Sequence, residues 1–135
     1  MVALETLGEG AVRWTLDVED GLPNALARAD ELREVLLNLF ENARLADASH
    51  VRTEVRLGST SVNVPAVVLT IRDDGAGISA DVLPRIFEPH FSTRTSGSGL
   101  GLAITRRLVE SWGGEVTIDS ERGRGTSVHL ALRIA

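Results

Sequence analysis

The chain has 135 residues, 43% of them hydrophobic and 24% charged, and a formal net charge of −5, a composition that suits one ordinary domain burying its own core. An acidic balance without a basic run leaves nothing to replace counterions, so neither nucleic acid nor an anionic membrane surface is an expected partner. Cysteine is absent and all 14 basic residues are arginine, which excludes disulfides, thiolate chemistry and every lysine mechanism. No apolar run approaches the roughly 20 residues of a membrane span, and the first ten residues are too polar for a signal peptide. A cytoplasmic domain is expected, with residues 1–10 as linker and 11–135 as a single unit.

Val12, Trp14, Leu16 and Val18 alternate with Arg13, Thr15 and Asp17, the pattern of a half-buried strand. Gly21-Leu22-Pro23-Asn24 breaks it. From about Asp30 to Asp47, Leu32, Val35, Leu36, Leu39, Phe40 and Ala43 form one helical stripe, with Asp30 as its expected N-cap. Val51 to Leu57 alternates again, and Gly58 to Pro65 reads as a turn. Val67, Leu69 and Ile71 share one face of a third strand whose inward parity continues to Asp73.

Asp74 to Gly77 is a loop, followed by a short helix expected near Ala80–Leu83. Pro84 to Gly99 carries no period. Leu100, Ile104, Leu108, Val109 and Trp112 mark another helix, stopped by Gly113-Gly114. Val116/Ile118 and Thr126/Val128/Leu130/Leu132/Ile134 give two closing strands about the Gly123-Arg124-Gly125 turn. The expected fold is a two-layer α/β (α+β) sandwich: a mixed, mostly antiparallel five-stranded sheet covered on one face by three helices.

Three clusters carry candidate chemistry. Asn38 and Asn42 lie one turn apart at the edge of the helical stripe, either packed against helix neighbours or offered to a ligand. Asp73-Asp74-Gly75-Ala76-Gly77-Ile78 follows a strand directly. Asp73 faces the covered side, where a carboxylate needs donors such as an amino group; an ordinary Asp-Gly turn is the competing reading. Gly97-Ser98-Gly99-Leu100-Gly101-Leu102 opens a helix whose free N–H groups suit phosphate. The lysine-bearing phosphate loop is impossible here, and the dinucleotide pattern lacks its preceding strand.

Taken in order, Asn-x-x-x-Asn-Ala, Asp-x-Gly-x-Gly-Ile, Ile-Phe-Glu-Pro-His-Phe (86–91), Gly-x-Gly-Leu-Gly-Leu-Ala-Ile (97–104) and Gly-x-Gly-Thr (123–126) resemble the Bergerat-fold ATPases, and among them the sensor histidine kinases. The resemblance implies ATP and Mg²⁺ as cofactors. It implies Asn42 as the Mg²⁺ ligand with Asn38 in support, Asp73 on the adenine amino group, and Gly75, Gly77 and Ile78 lining the base. Phe87 and Phe91 would flank a mobile lid, and Gly99, Leu100, Gly101 and Leu102 would present N–H groups to the phosphates. Thr126 would hold the water network around Asp73.

The hydrolytic branches of this superfamily carry a glutamate where this chain has Asn38. An amide takes no proton, so the resemblance implies a kinase, donating the γ-phosphoryl group to a histidine on a dimerisation domain and only indirectly serving a response regulator. None of His50, His90 and His129 has the acidic residue that follows the family's acceptor, so the acceptor is expected outside this chain and the domain is expected to be monomeric. Two departures stand out: Leu45 occupies a position where many such kinases carry lysine or arginine, and the lid, Ser92 to Ser98, is short, as in nitrogen-regulator kinases. Arg94 is either a phosphate contact in that lid or a solvated residue. The alternatives are a hydrolytic or serine-kinase member of the superfamily, and a degenerate nucleotide binder that works by docking.

Overall fold

The structure, a computed structural model, describes residues 2–5, 12–88 and 101–135. The alternating stretches become strands: β1 (Val2–Glu5), β2 (Arg13–Val18), β3 (His50–Ser59), β4 (Pro65–Asp73), β5 (Glu115–Glu121) and β6 (Gly125–Arg133). They form one sheet in the order β1-β2-β3-β4-β6-β5. Only β2 and β3 pair in parallel, as a strand–helix–strand crossover requires. The other pairings are antiparallel. The expected five strands are present, and Val2–Glu5, inside the stretch read as linker, adds a sixth beside β2.

Two α-helices lie in the described residues, α1 (Ala29–Leu45) and α2 (Gly101–Ser111). The third expected helix is a turn at 79–82 and a single 3₁₀ turn at Leu83–Arg85. Pro84 brings no N–H and disfavours α backbone at the residue before it, so a longer helix cannot propagate there. Asp30 is not the N-cap of α1. Arg28 holds that position without a side-chain cap, and Asp30 and Glu31 sit in the first turn, where their charge favours the positive end of the helix. No helix among the described residues is long and apolar enough to cross a membrane.

Both helices cover the same face of the sheet. Val35, Leu39 and Ala43 of α1, with Val109 and Trp112 at and just beyond the end of α2, are buried against Val51, Leu69, Ile71, Val128, Leu130 and Leu132. Each large side chain taken fully out of water contributes about 1.5–3 kcal/mol before entropy is counted. Trp14 and Phe40 meet edge to face at 5.3 Å, joining β2 to α1.

The opposite face is a charged lattice. Arg56 and Arg52 both reach Asp17, at 2.7 and 3.5 Å, while Glu54 lies between Arg52, Arg56 and Arg72. Such exposed pairs are each worth at most about 1 kcal/mol; they let this face meet water while the other carries the core.

The Nε1–H of Trp112 donates to Glu31 at 2.8 Å. That bond joins the far end of α2 to the first turn of α1. With the helices side by side, α2 therefore begins near the end of α1 that carries Asn42. This antiparallel arrangement gathers the candidate residues at one end of the sheet.

Candidate functional site

The loop after β4 is held from both sides. The N–H of Gly75 donates to Asp73 Oδ1 at 2.8 Å. The N–H of Ala76 donates to the carbonyl of Ala46, at the end of α1, at 2.9 Å. The carbonyl of Ala76 accepts from Gly123 N at 2.7 Å, in the β5–β6 turn, and Ile78 N–H donates to Ser120 Oγ at 2.8 Å. Polar backbone in a half-buried loop must find partners; the first of these bonds ties the loop to the end of β4, and the others fix it to the end of α1 or to the β5–β6 hairpin.

Two glycines make this docking possible. Gly77 has φ +72° and Gly125 φ +115°, both in the region that side chains avoid. A Cβ on Gly77 would strike the carbonyl of Glu121, and one on Gly125 would strike the carbonyl of Asp73. The sequence reading gave the space at Gly75 and Gly77 to a flat base. At Gly75 a Cβ would instead meet Ala46 O at 2.6 Å, so both glycines serve close contact between backbone segments.

Asp73, Thr126 and Ser120 form one row across β4, β6 and β5, since Asp73 pairs with Thr126 and Thr126 with Ser120. Their parity matches Ile71, Val128 and Ile118, which puts the row on the helix-covered face. All three line a cleft of about 590 Å³ at the end of the sheet, whose other walls include His50, Arg52, Arg72, Asp119 and Ser127 of the charged face and, among the described residues, none of α1 or α2.

Asn38 and Asn42 are half-buried on the last turns of α1, with Ala46 and the loop one turn beyond Asn42. Glu34 is exposed, and Glu41 accepts from Arg44 at 2.6 Å. Phe87, half-buried, lies under the Arg106 guanidinium of α2 at 5.0 Å, a cation–π contact that ties the turn after Leu83–Arg85 to α2. Gly101 and Leu102 open α2, and Leu102 packs against the core. Phe91, Arg94, Gly99 and Leu100 lie outside the described residues, as does His90.

His50 and His129 belong to the charged face. His50 Nε2 meets Thr15 Oγ1 at 3.0 Å, and His129 Nδ1 meets Thr70 Oγ1 at 3.1 Å.

The sequence reading missed two residues. Asp74, read as part of a turn, accepts from Ser49 N and His50 N at 2.8 and 3.0 Å and from the Ser49 hydroxyl at 2.9 Å. It clamps the start of β3 to the end of β4. The His50 N–H, with the Ser49 hydroxyl and N–H, holds its carboxyl below the usual carboxylate value, against the opposing effect of burial. Ser120, whose inward parity was the only signal, receives the loop at Ile78.

A depressed folded value stabilises the fold above the unfolded value, near 3.9, and loses that contribution as pH falls through the folded one. Asp74→Ala is therefore expected to cost about 1 kcal/mol at pH 7, an amount reduced by the exposure of the carboxylate. The urea midpoints of wild type and variant should converge below about pH 4; a constant gap down to pH 2.5 would rule the clamp out.

Residues 27–135 match the family described as histidine kinase-, DNA gyrase B- and HSP90-like ATPase. The chain is 38% identical over 123 residues to the sensor histidine kinase ZraS of Escherichia coli K12, covering 91% of this chain and 26% of that protein. It is 33% identical over 130 residues to the sensory histidine kinase/phosphatase NtrB of Rhizobium leguminosarum, covering 85% and 33%. The chain thus spans a third or less of these relatives. Among solved structures, full-length ShkA in complex with AMPPNP superposes with a TM-score of 0.72 at 32% identity, covering 90% of this chain and 26% of that one. The mycobacterial sensor histidine kinase MprB superposes with 0.70 at 27%, covering 90% and 83%. Fold, motif order and relatives agree: the chain belongs to the histidine kinase-, DNA gyrase B- and HSP90-like ATPase family, as an ATP-binding catalytic domain of the sensor histidine kinase type.

Proposed function

We propose that residues 11–135 bind Mg-ATP in the cytoplasm and donate its γ-phosphoryl group to a histidine on a separate dimerisation domain, from which a response regulator is served. The observation that carries this reading is the end of α1. The half-buried polar positions there are the amides Asn38 and Asn42, while Glu34 is solvated and Glu41 is engaged by Arg44. Amides orient and coordinate but take no proton from water. Such a site favours positioning of a phosphoryl group over activation of a water.

In this reading Asp73 accepts the adenine amino group, Ile78 and the Gly75–Gly77 backbone border the base, and Thr126 completes the polar row. Phe87 and Phe91 flank the lid, Arg94 reaches the phosphates from it, and Gly99, Leu100, Gly101 and Leu102 supply N–H groups at the start of α2. The donors at Asn42, supported by Asn38, are hard amide oxygens of the kind Mg²⁺ accepts. When bound, the ion supplies neutralisation of phosphate charge.

Mixing the chain with γ-labelled ATP and a histidine-bearing dimerisation domain of a similar sensor kinase tests the reading. Label on that histidine is expected; label lost to water at the same rate with and without the acceptor would contradict it.

Leu45, where a cation would neutralise phosphate, favours a second reading in which the chain binds nucleotide weakly and acts by docking. Leu45→Arg is expected to tighten ATP binding about threefold, the worth of one partly solvated charge contact. Calorimetry reads this directly, and an unchanged Kd would show that charge at this position is not limiting.

A further inference from the structure

We propose that Ser120 determines base specificity by fixing the direction of the Thr126 hydroxyl, an inference that rests on the nucleotide-binding reading above. Ser120 Oγ has three neighbours: Ile78 N at 2.8 Å, the Gly125 carbonyl at 3.0 Å and Thr126 Oγ1 at 2.8 Å. A backbone N–H only donates and a carbonyl only accepts, while a serine hydroxyl has one hydrogen and two lone pairs. The single Ser120 hydrogen therefore goes to Gly125, and one lone pair receives Ile78. The remaining contact is satisfied only if Thr126 donates.

That assignment spends the one hydrogen of Thr126 and leaves its oxygen an acceptor. Thr126 is the ladder partner of Asp73, on the same face of the sheet. The Asp73 carboxylate and the oriented Thr126 hydroxyl oxygen, neighbours on the helix-covered face, then both accept. An exocyclic amino group offers two N–H donors to such an edge. A 6-oxo purine turns a carbonyl toward these lone pairs and keeps only its N1–H to donate, and a buried polar edge left partly unpaired discriminates. Ser120 thus acts through Thr126, as a positioning residue, to make the site prefer an amino purine over an oxo purine. The same hydroxyl holds the loop at Ile78, so loop position and hydrogen direction are set by one atom.

The test compares Mg-ATP with Mg-ITP, whose bases differ in the group at position 6 and in the hydrogen the oxo form carries on N1, on the wild-type chain and on Ser120→Ala and Ser120→Thr. Wild type is expected to bind ATP far more tightly. In Ser120→Ala the Thr126 hydroxyl is released to turn and donate, so the ITP-to-ATP ratio of Kd values should fall about tenfold. Ser120→Thr, which keeps the hydroxyl, should retain the wild-type ratio. Equal weakening of both nucleotides in Ser120→Ala, with the ratio unchanged, would reduce Ser120 to a structural prop and overturn the proposal. Should Ser120→Ala fail to fold, Thr126→Val removes the acceptor itself; a lower ratio is expected, and an unchanged one overturns the proposal. A wild-type chain that binds neither nucleotide is a distinct result and overturns the nucleotide reading together with this one.

Discussion

Gly125→Ala is expected to remove nucleotide binding and to lower stability by about 2–5 kcal/mol. Gly125 opens β6 at φ +115° and is buried, a backbone geometry that costs an L side chain about 1–2 kcal/mol. The added Cβ would also meet the carbonyl of Asp73 and lie 3.0 Å from Asp74 Cα. Relief requires β6 to move off the end of β4, and such overpacking costs about a further 1–3 kcal/mol. That movement would separate Thr126 from Asp73 and break the bond from Ser120 to the Gly125 carbonyl. Thermal unfolding should show a fall on the order of 10–20 °C for a domain of this size. A variant that melts within 3 °C of wild type would contradict the interlocked backbone contact.

Asp73→Asn is expected to weaken ATP binding by about 10²-fold or more and to leave the fold intact. The asparagine carbonyl can still accept from Gly75 N–H, the bond now made by Oδ1 at 2.8 Å, so the loop keeps its internal tie. What changes is the other side of the group, where an acceptor becomes an amide N–H. An adenine amino group facing that N–H loses its acceptor and meets a second donor, the kind of mismatch that costs several kcal/mol in a closed site. Calorimetry with ATP and a urea melt of the same protein separate the outcomes. Lost binding with an unchanged midpoint supports the assignment, whereas a collapsed midpoint would make Asp73 structural.

The sheet was legible because its strands are covered on one face only. β2, β3, β4 and β6 each alternate apolar and polar residues, and the stripe of α1 is regular enough to find its buried positions Val35, Leu39 and Ala43. Helix ends were less legible: Asp30 has the chemistry of a cap, yet α1 begins one residue earlier with Arg28 as its uncapped boundary. The short helix expected near Ala80–Leu83 is a turn that runs into a single 3₁₀ turn, because Pro84 stops it there. Asp73, Gly77 and Thr126 could be singled out from local motifs and strand parity. Ser120 and Asp74 could not, because Ile78, which Ser120 receives, lies 42 residues away and Ser49, which Asp74 holds, lies 25 residues away, and these become neighbours only when the hairpin and the β3 start are folded against the loop.

A phosphodonor site holds ATP for transfer and leaves it intact in water. Titrating the isolated chain with ATP and ADP, with and without Mg²⁺, while following phosphate release in the same sample, tests this most directly. Magnesium-dependent ATP binding with almost no phosphate released is the predicted result. Steady phosphate release in the absence of any histidine acceptor would contradict it and would make the end of α1 a water-activating site.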